Sequence, residues 1–423
     1  MFLRPGAPHQ KEITMNKQYL LLILSAALLA LSCRQSRQAG VFITASEAVL
    51  LDTIPGSCPF ATRDAQGNPV ISWVRQLTDT SGVLCYAVSA DNGQTFGAPV
   101  VVTPSGNVSP HAENLPKVLF KPSGEILAVW GTANPNPKNK YSGLVYYAQS
   151  FDAGRTWSAA RPLVQDTAGF DQRYFDVALL SGGEAVITWL DNRKDTAVEG
   201  SALYLAQTSG RNGFSGERRI AQSCCQCCRT DLFIDHKDNI HVLYRGILQD
   251  SIRDMVHIVS EDRGRSFSGP DRIAPDNWVI KGCPHTGPAM TEGKEGLHFA
   301  WYTGGRKRGS FYTQSADNGR SFRGEDSIAS SGKHPQITTA ADGSLLIVWD
   351  EAVKTGNRFT NRIGLQQRTA DGKGLQRTYL TPDSGQASHP VITPAAGGGA
   401  VLAFVDTRGE QKFVKRITVE GGR

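Results

Sequence analysis

Four stretches of the chain follow one pattern, S-x-D-x-G-x-[ST]-[FW]: SADNGQTF (89–96), SFDAGRTW (150–157), SEDRGRSF (260–267) and SADNGRSF (315–322). Weaker copies are TSGRNGF (208–214) and RTADGKGL (368–375). The chemistry is that of a hairpin turn. Asp91, Asp152, Asp262 and Asp317 can accept backbone N–H bonds within the turn, the Gly two residues on tolerates positive φ, and the closing aromatic can pin the turn to a sheet. Turns recurring every 50–60 residues or so make each intervening segment one supersecondary unit.

Each unit carries strand signals separated by Gly/Asn turns. In the first they are CPFATRD, PVISWVR, GVLCYAVS and, after the turn motif, APVVV. An aromatic recurs late in the second strand: Trp73, Trp130, Trp189, Tyr244, Trp301, Trp349 and Phe404. Seven such units predict an all-β chain, a β-propeller of seven four-stranded antiparallel blades. The seventh unit has only three strand signals, so EAVLLD (47–52) is expected to supply its outer strand and close the ring. No helical period of useful length follows residue 40, and residues 46–420 read as one domain after a linker at 34–45.

The turn motifs resemble the Asp-box (BNR) repeats of the sialidase superfamily over nearly the whole chain beyond the leader. That resemblance implies a propeller acting on glycans. Sialidases are six-bladed, which makes six blades the alternative to the seven counted.

The N-terminus reads as an export signal. From Met15, a possible start, MNKQYLLLILSAALLALSC has a basic end at Lys17 and an apolar run too short for a comfortable membrane span. Its ending, ALSC, resembles the bacterial lipoprotein processing box. Residues 1–33 are thus expected to be signal and lipobox, with Cys33 lipidated and the protein anchored in the cell envelope outside the cytoplasm, as a monomer. An ordinary secretory signal with a free Cys33 is the other reading. The formal charge of +6 comes without a basic run, which argues against nucleic acid as a partner.

In a propeller blade the first strand is innermost. Its start and the end of the second strand share one face, and the Asp-box turns lie on the other. The residues opening the inner strands are Cys58, His111, Asp171 with Arg173, the cluster Cys224, Cys225, Cys227 and Cys228, Cys283 with His285, His334 and His389. Rotational repetition is expected to gather these thiols and imidazoles around one mouth of the pore. Thiolate with imidazole suits Cu(I) or Zn²⁺. CCQCC holds two overlapping C-x-x-C pairs, 224/227 and 225/228; fully extended, it would instead turn 225 and 227 one way and 224 and 228 the other. Disulfides are the competing reading, with Cys283 pairing to the cluster from a neighbouring blade. Cys85 is expected to be plain core.

The same face offers Arg75, Asp191, Arg193, Arg245, Asp350, Glu351, Asp406 and Arg408. Sialidase chemistry needs arginines for the substrate carboxylate, a Tyr nucleophile with a Glu, and an Asp acid/base. The family's arginine motif is absent. Arg193, Arg245 and Arg408 are the substitutes, Tyr302 with Glu113 a nucleophile pair, and Asp191 an acid; alternatively the D-x-R pairs are salt bridges between neighbouring blades. Three functions follow: a pore-face site for a metal or small ligand without sialidase activity, an exo-acting sialidase-type hydrolase, or a propeller that binds glycans or proteins.

Overall fold

The computed structural model describes residue 1 and residues 43–79, 81–137, 139–165, 171–193 and 198–421. The export segment, the linker up to residue 42 and Cys33 lie outside the described residues. No helix among those described is long and apolar enough to cross a membrane.

Seven antiparallel sheets carry the chain, each with its strands in sequence order. Their innermost strands are Gly56–Arg63, Lys117–Phe120, Gln172–Leu179, Asp231–Ile234, Ala289–Gly293, Gly332–Thr339 and Ala387–Pro394. Each innermost strand contacts the next around a closed ring, the last returning to the first. This is a seven-bladed β-propeller, and the six-bladed alternative is set aside. The last blade is completed by Thr44–Ala45 and Val49–Leu50, both antiparallel to Gln411–Glu420, so the expected closing strand is there in two short pieces.

The recurring second-strand aromatics make the blades' cores. Trp73, Trp130, Trp189, Trp301 and Trp349 are fully buried, with Tyr244 and Phe404 nearly so. Truncating one such side chain costs about 3–5 kcal/mol.

The four S-x-D-x-G turns share one hydrogen-bond pattern. In the second blade Ser150 Oγ donates to Asp152 at 2.9 Å and accepts Gly154 N–H at 2.9 Å, while Asp152 accepts both N–H and Oγ1–H of Thr156. Asp91, Asp262 and Asp317 repeat it. Two consecutive residues have positive φ there, Ala153 at 62° and Gly154 at 84° in this blade. The glycine is required by a neighbour as well. A Cβ on Gly154 would lie 2.2 Å from the Tyr86 hydroxyl of the preceding blade. Gly93, Gly213, Gly264, Gly319 and Gly372 press in the same way on Val401, Tyr147, Gln207, His257 and Tyr312. The weaker copies therefore dock as the strong ones do, and the turns serve as blade-to-blade contacts.

Candidate metal centre and cleft

Strand register fixes which residues are equivalent at the pore mouth. In every blade one inner-strand residue pairs with the residue just before the second-strand aromatic: Phe60, Lys117, Asp176, Asp231, Ala289, Gln336 and Val391. Two positions earlier stand Cys58, Leu115, Tyr174, Arg229, Gly287, His334 and His389. At Cys58, Tyr174, His334 and His389 the ladder slips by a bulge and φ is positive, between 48° and 56°. Bulges of this kind re-aim a side chain. The sequence reading had a Cys or His at the corresponding point of nearly every blade. Register corrects that to three of seven. His111, Cys225, Cys227, Cys228, Cys283 and His285 come instead from the loops that lead into the inner strands.

These candidates separate into groups. Cys224 ends an outer strand opposite Ser201 and is buried away from the others. After it the chain turns: Ser223 has φ 57°, and Cys225 N–H donates to the Arg245 carbonyl at 2.8 Å. That turn, neither extended nor a pair of C-x-x-C units, brings the sulfurs of Cys225, Cys227 and Cys228 within 4.8 Å of one another. Cys227 also lies within 4.8 Å of Cys283 and a ring nitrogen of His285, both exposed. Cys225 and Cys227 Sγ are 3.6 Å apart, well beyond a bond of about 2.05 Å, and the seven described cysteines are all free thiols. Cys85 is core, as expected.

Shared S–H donation from Cys227 and Cys228 draws the Cys225 thiol far down and drives Cys227 up. One member of the trio is therefore ready to be a thiolate, the form that binds metal. Burial pushes Cys224 up. His111 stacks loosely on His285, ring centres 5.8 Å apart, and burial, His285 and Arg173 hold it below the usual histidine range.

A cleft of about 790 Å³ opens over this cluster, lined by His111, Asn114, Tyr141, Arg173, Tyr174, Arg253 and the cysteines among others. Arg173 is held by both oxygens of Asp171 at 2.6 Å, and Asn114 Oδ1 accepts the Tyr174 N–H at 2.7 Å.

His334 and His389 form a second group. Their rings stack at 4.1 Å; His334 Nδ1 lies 2.9 Å from Asp350, which also accepts the His389 N–H at 2.6 Å. Burial opposes charge on both rings, but Asp350 raises His334 above the usual range while His389 falls to about 4. Cys58 stands apart, its Sγ 3.7 Å from Ser57 Oγ, beside His389 in a smaller cavity of about 340 Å³.

The residues nominated for glycoside hydrolysis do not converge. Arg193 is clamped between Asp191 and Glu217 of its own blade. Arg245 is fully buried, donating to the carbonyls of Arg253, Thr286 and Tyr302. Arg408 pairs with Asp406 at 3.0 Å, and Tyr302 is buried under Trp278. Glu113 pairs with Arg229. The D-x-R pairs thus close within blades and not between them.

Arg229, Tyr174, Tyr141 and Arg253 were not singled out from the sequence. For Arg229 a signal existed, since it directly follows the cysteine cluster; the other three had none.

No known protein-family profile matches the chain, and no curated protein is significantly similar in sequence. Solved structures do match in fold. The polysaccharide lyase Uly1 is 11% identical, with TM-score 0.54, over 88% of this chain and 91% of the lyase. The Penicillium chrysogenum alpha-L-arabinanase is 13% identical, with TM-score 0.51, over 89% of this chain and 98% of that one. The NanB sialidase of Streptococcus pneumoniae is 11% identical, with TM-score 0.48, over 93% of this chain and 72% of the sialidase. At such identities the likeness defines the fold, a β-propeller, and nothing finer.

Proposed function

We propose that this protein is an exported, lipid-anchored propeller that binds a soft or borderline metal ion, Cu(I) or Zn²⁺, at the mouth of its cleft. One observation carries the reading: Cys225, Cys227, Cys228, Cys283 and His285, from two loops of adjacent blades, bring thiol and imidazole donors to one spot. This donor set selects such metals over hard cations. Metal analysis of protein purified without chelator or affinity tag tests it. At least one equivalent, of the order seen for thiolate sites, should be present and be lost in Cys227→Ser. Protein that is folded, reduced and essentially metal-free after exposure to both metals would overturn it.

A second reading is favoured by the cleft itself, whose volume is that of small-molecule sites. With Arg173, Tyr174 and His111 on its wall, and a fold shared with a lyase and an arabinanase, the protein would act on glycans. Assay against fluorogenic sialosides and arabinosides separates the two. Turnover that vanishes in Arg173→Ala and survives complete metal removal would favour the glycan reading.

A further inference from the structure

We propose that the cluster holds two unequal metal ions bridged by the Cys227 thiolate. The inner ion sits on Cys225, Cys227 and Cys228. The outer ion sits on Cys227, Cys283 and His285, with a remaining position open to the cleft. The inference rests on the metal-binding reading above and adds stoichiometry, bridging and an exchangeable position to it.

The donor geometry requires the division. Metal–sulfur bonds of about 2.3 Å and metal–nitrogen bonds of about 2.0–2.1 Å hold a tetrahedral ion's ligand atoms within about 4 Å of each other. Here the donors form two triplets, each with all its ligand atoms within 4.8 Å, and only Cys227 belongs to both. One ion would have to pull Cys225 and Cys228 towards Cys283 and His285 across the turn. Two ions need only small side-chain adjustments.

Charge agrees. Four thiolates around a single divalent ion would leave two negative charges beside an apolar cluster that includes Leu190 and Tyr244, a costly arrangement. Two divalent ions make the four thiolates neutral.

Burial then distinguishes the ions. The inner three cysteines are buried, while Cys283 and His285 are exposed on the cleft wall. A closed thiolate shell is the pattern of a structural ion; three protein ligands with an open position facing a cavity is that of an ion that exchanges ligands. Water, or a small molecule bearing a lone-pair donor, would complete the outer ion from the cleft.

Anaerobic titration of the reduced full chain with Co²⁺, followed through thiolate-to-cobalt absorption and metal content, tests this. About two equivalents should bind to the wild type, and about one to Cys283→Ala, to His285→Ala and to Cys228→Ala. Azide should change the spectrum of the wild type and of Cys228→Ala but not that of Cys283→Ala. Circular dichroism of each variant checks folding, and Cys283, being exposed, is the change least able to disturb it. Saturation at one equivalent that needs Cys228 and Cys283 alike would overturn the two-ion arrangement while leaving the metal reading standing. No binding at all would overturn the metal reading itself.

Discussion

Arg229 reaches from the fourth blade across the pore axis. Its guanidinium donates to Glu113 at 3.1 Å and to the carbonyls of Pro288 and Pro335 at 3.2 Å, all inside the molecule. Replacing it with Met leaves the Glu113 carboxylate buried without a counter-charge, which costs about 3–5 kcal/mol. Urea unfolding should show that loss, and adding Glu113→Gln should recover part of it. Asp276 gives a pH-dependent counterpart. Burial, against the hydrogen bond from Trp301 Nε1 and with Asp254 adding to it, pushes its carboxyl up to about 6. The folded state then holds this proton more tightly than the unfolded one, so stability falls as pH rises from about 4 to about 6. Asp276→Asn should flatten that part of a stability-versus-pH curve; an unchanged slope would exclude the group. Residues of this kind mark where the sequence stopped being legible. Cysteine and histidine types could be read from the string, and so could the face that carries them. Their partners could not: Asp350, Arg229 and Tyr174 meet the candidates through bulges and loop returns that leave no periodic trace.

Among elements, the turn motif was the most legible feature, because an Asp, a Gly and an aromatic at fixed offsets define one hydrogen-bond pattern. What it does not reveal is the neighbouring blade. Gly154→Ala and Gly67→Ala separate the two effects, since both residues have φ of 84° but only Gly154 faces a neighbour, the Tyr86 hydroxyl. Gly67→Ala should cost about 1 kcal/mol for the backbone alone. Gly154→Ala should cost about 2–4 kcal/mol, overpacking included; equal losses in thermal unfolding would mean the contact yields freely. Inner strands were legible as strands, but their bulges were not, which is why an expected seven-membered ring of ligands became two groups and a solitary Cys58.

At the scale of the molecule, the ring depends on its seam. Ser46 N–H donates to the Thr418 carbonyl, Thr418 N–H donates to Ser46 Oγ, and Leu51 N–H donates to the Val414 carbonyl. Asp52 continues across the seam to Arg75 of the first blade at 2.7 Å. Ser46→Pro with Leu51→Pro removes the three hydrogen bonds together and should lower stability by about 2–4 kcal/mol. It also bares the edge of Gln411–Glu420, so self-association on size-exclusion chromatography should accompany the loss. An unaltered melting temperature would mean closure is carried elsewhere. The Arg229–Glu113 pair has its own consequence at this scale. By bridging the second, fourth, fifth and sixth blades it stoppers the hub, so the molecule has no tunnel: whatever reaches the sulfur-rich side must depart from that same side.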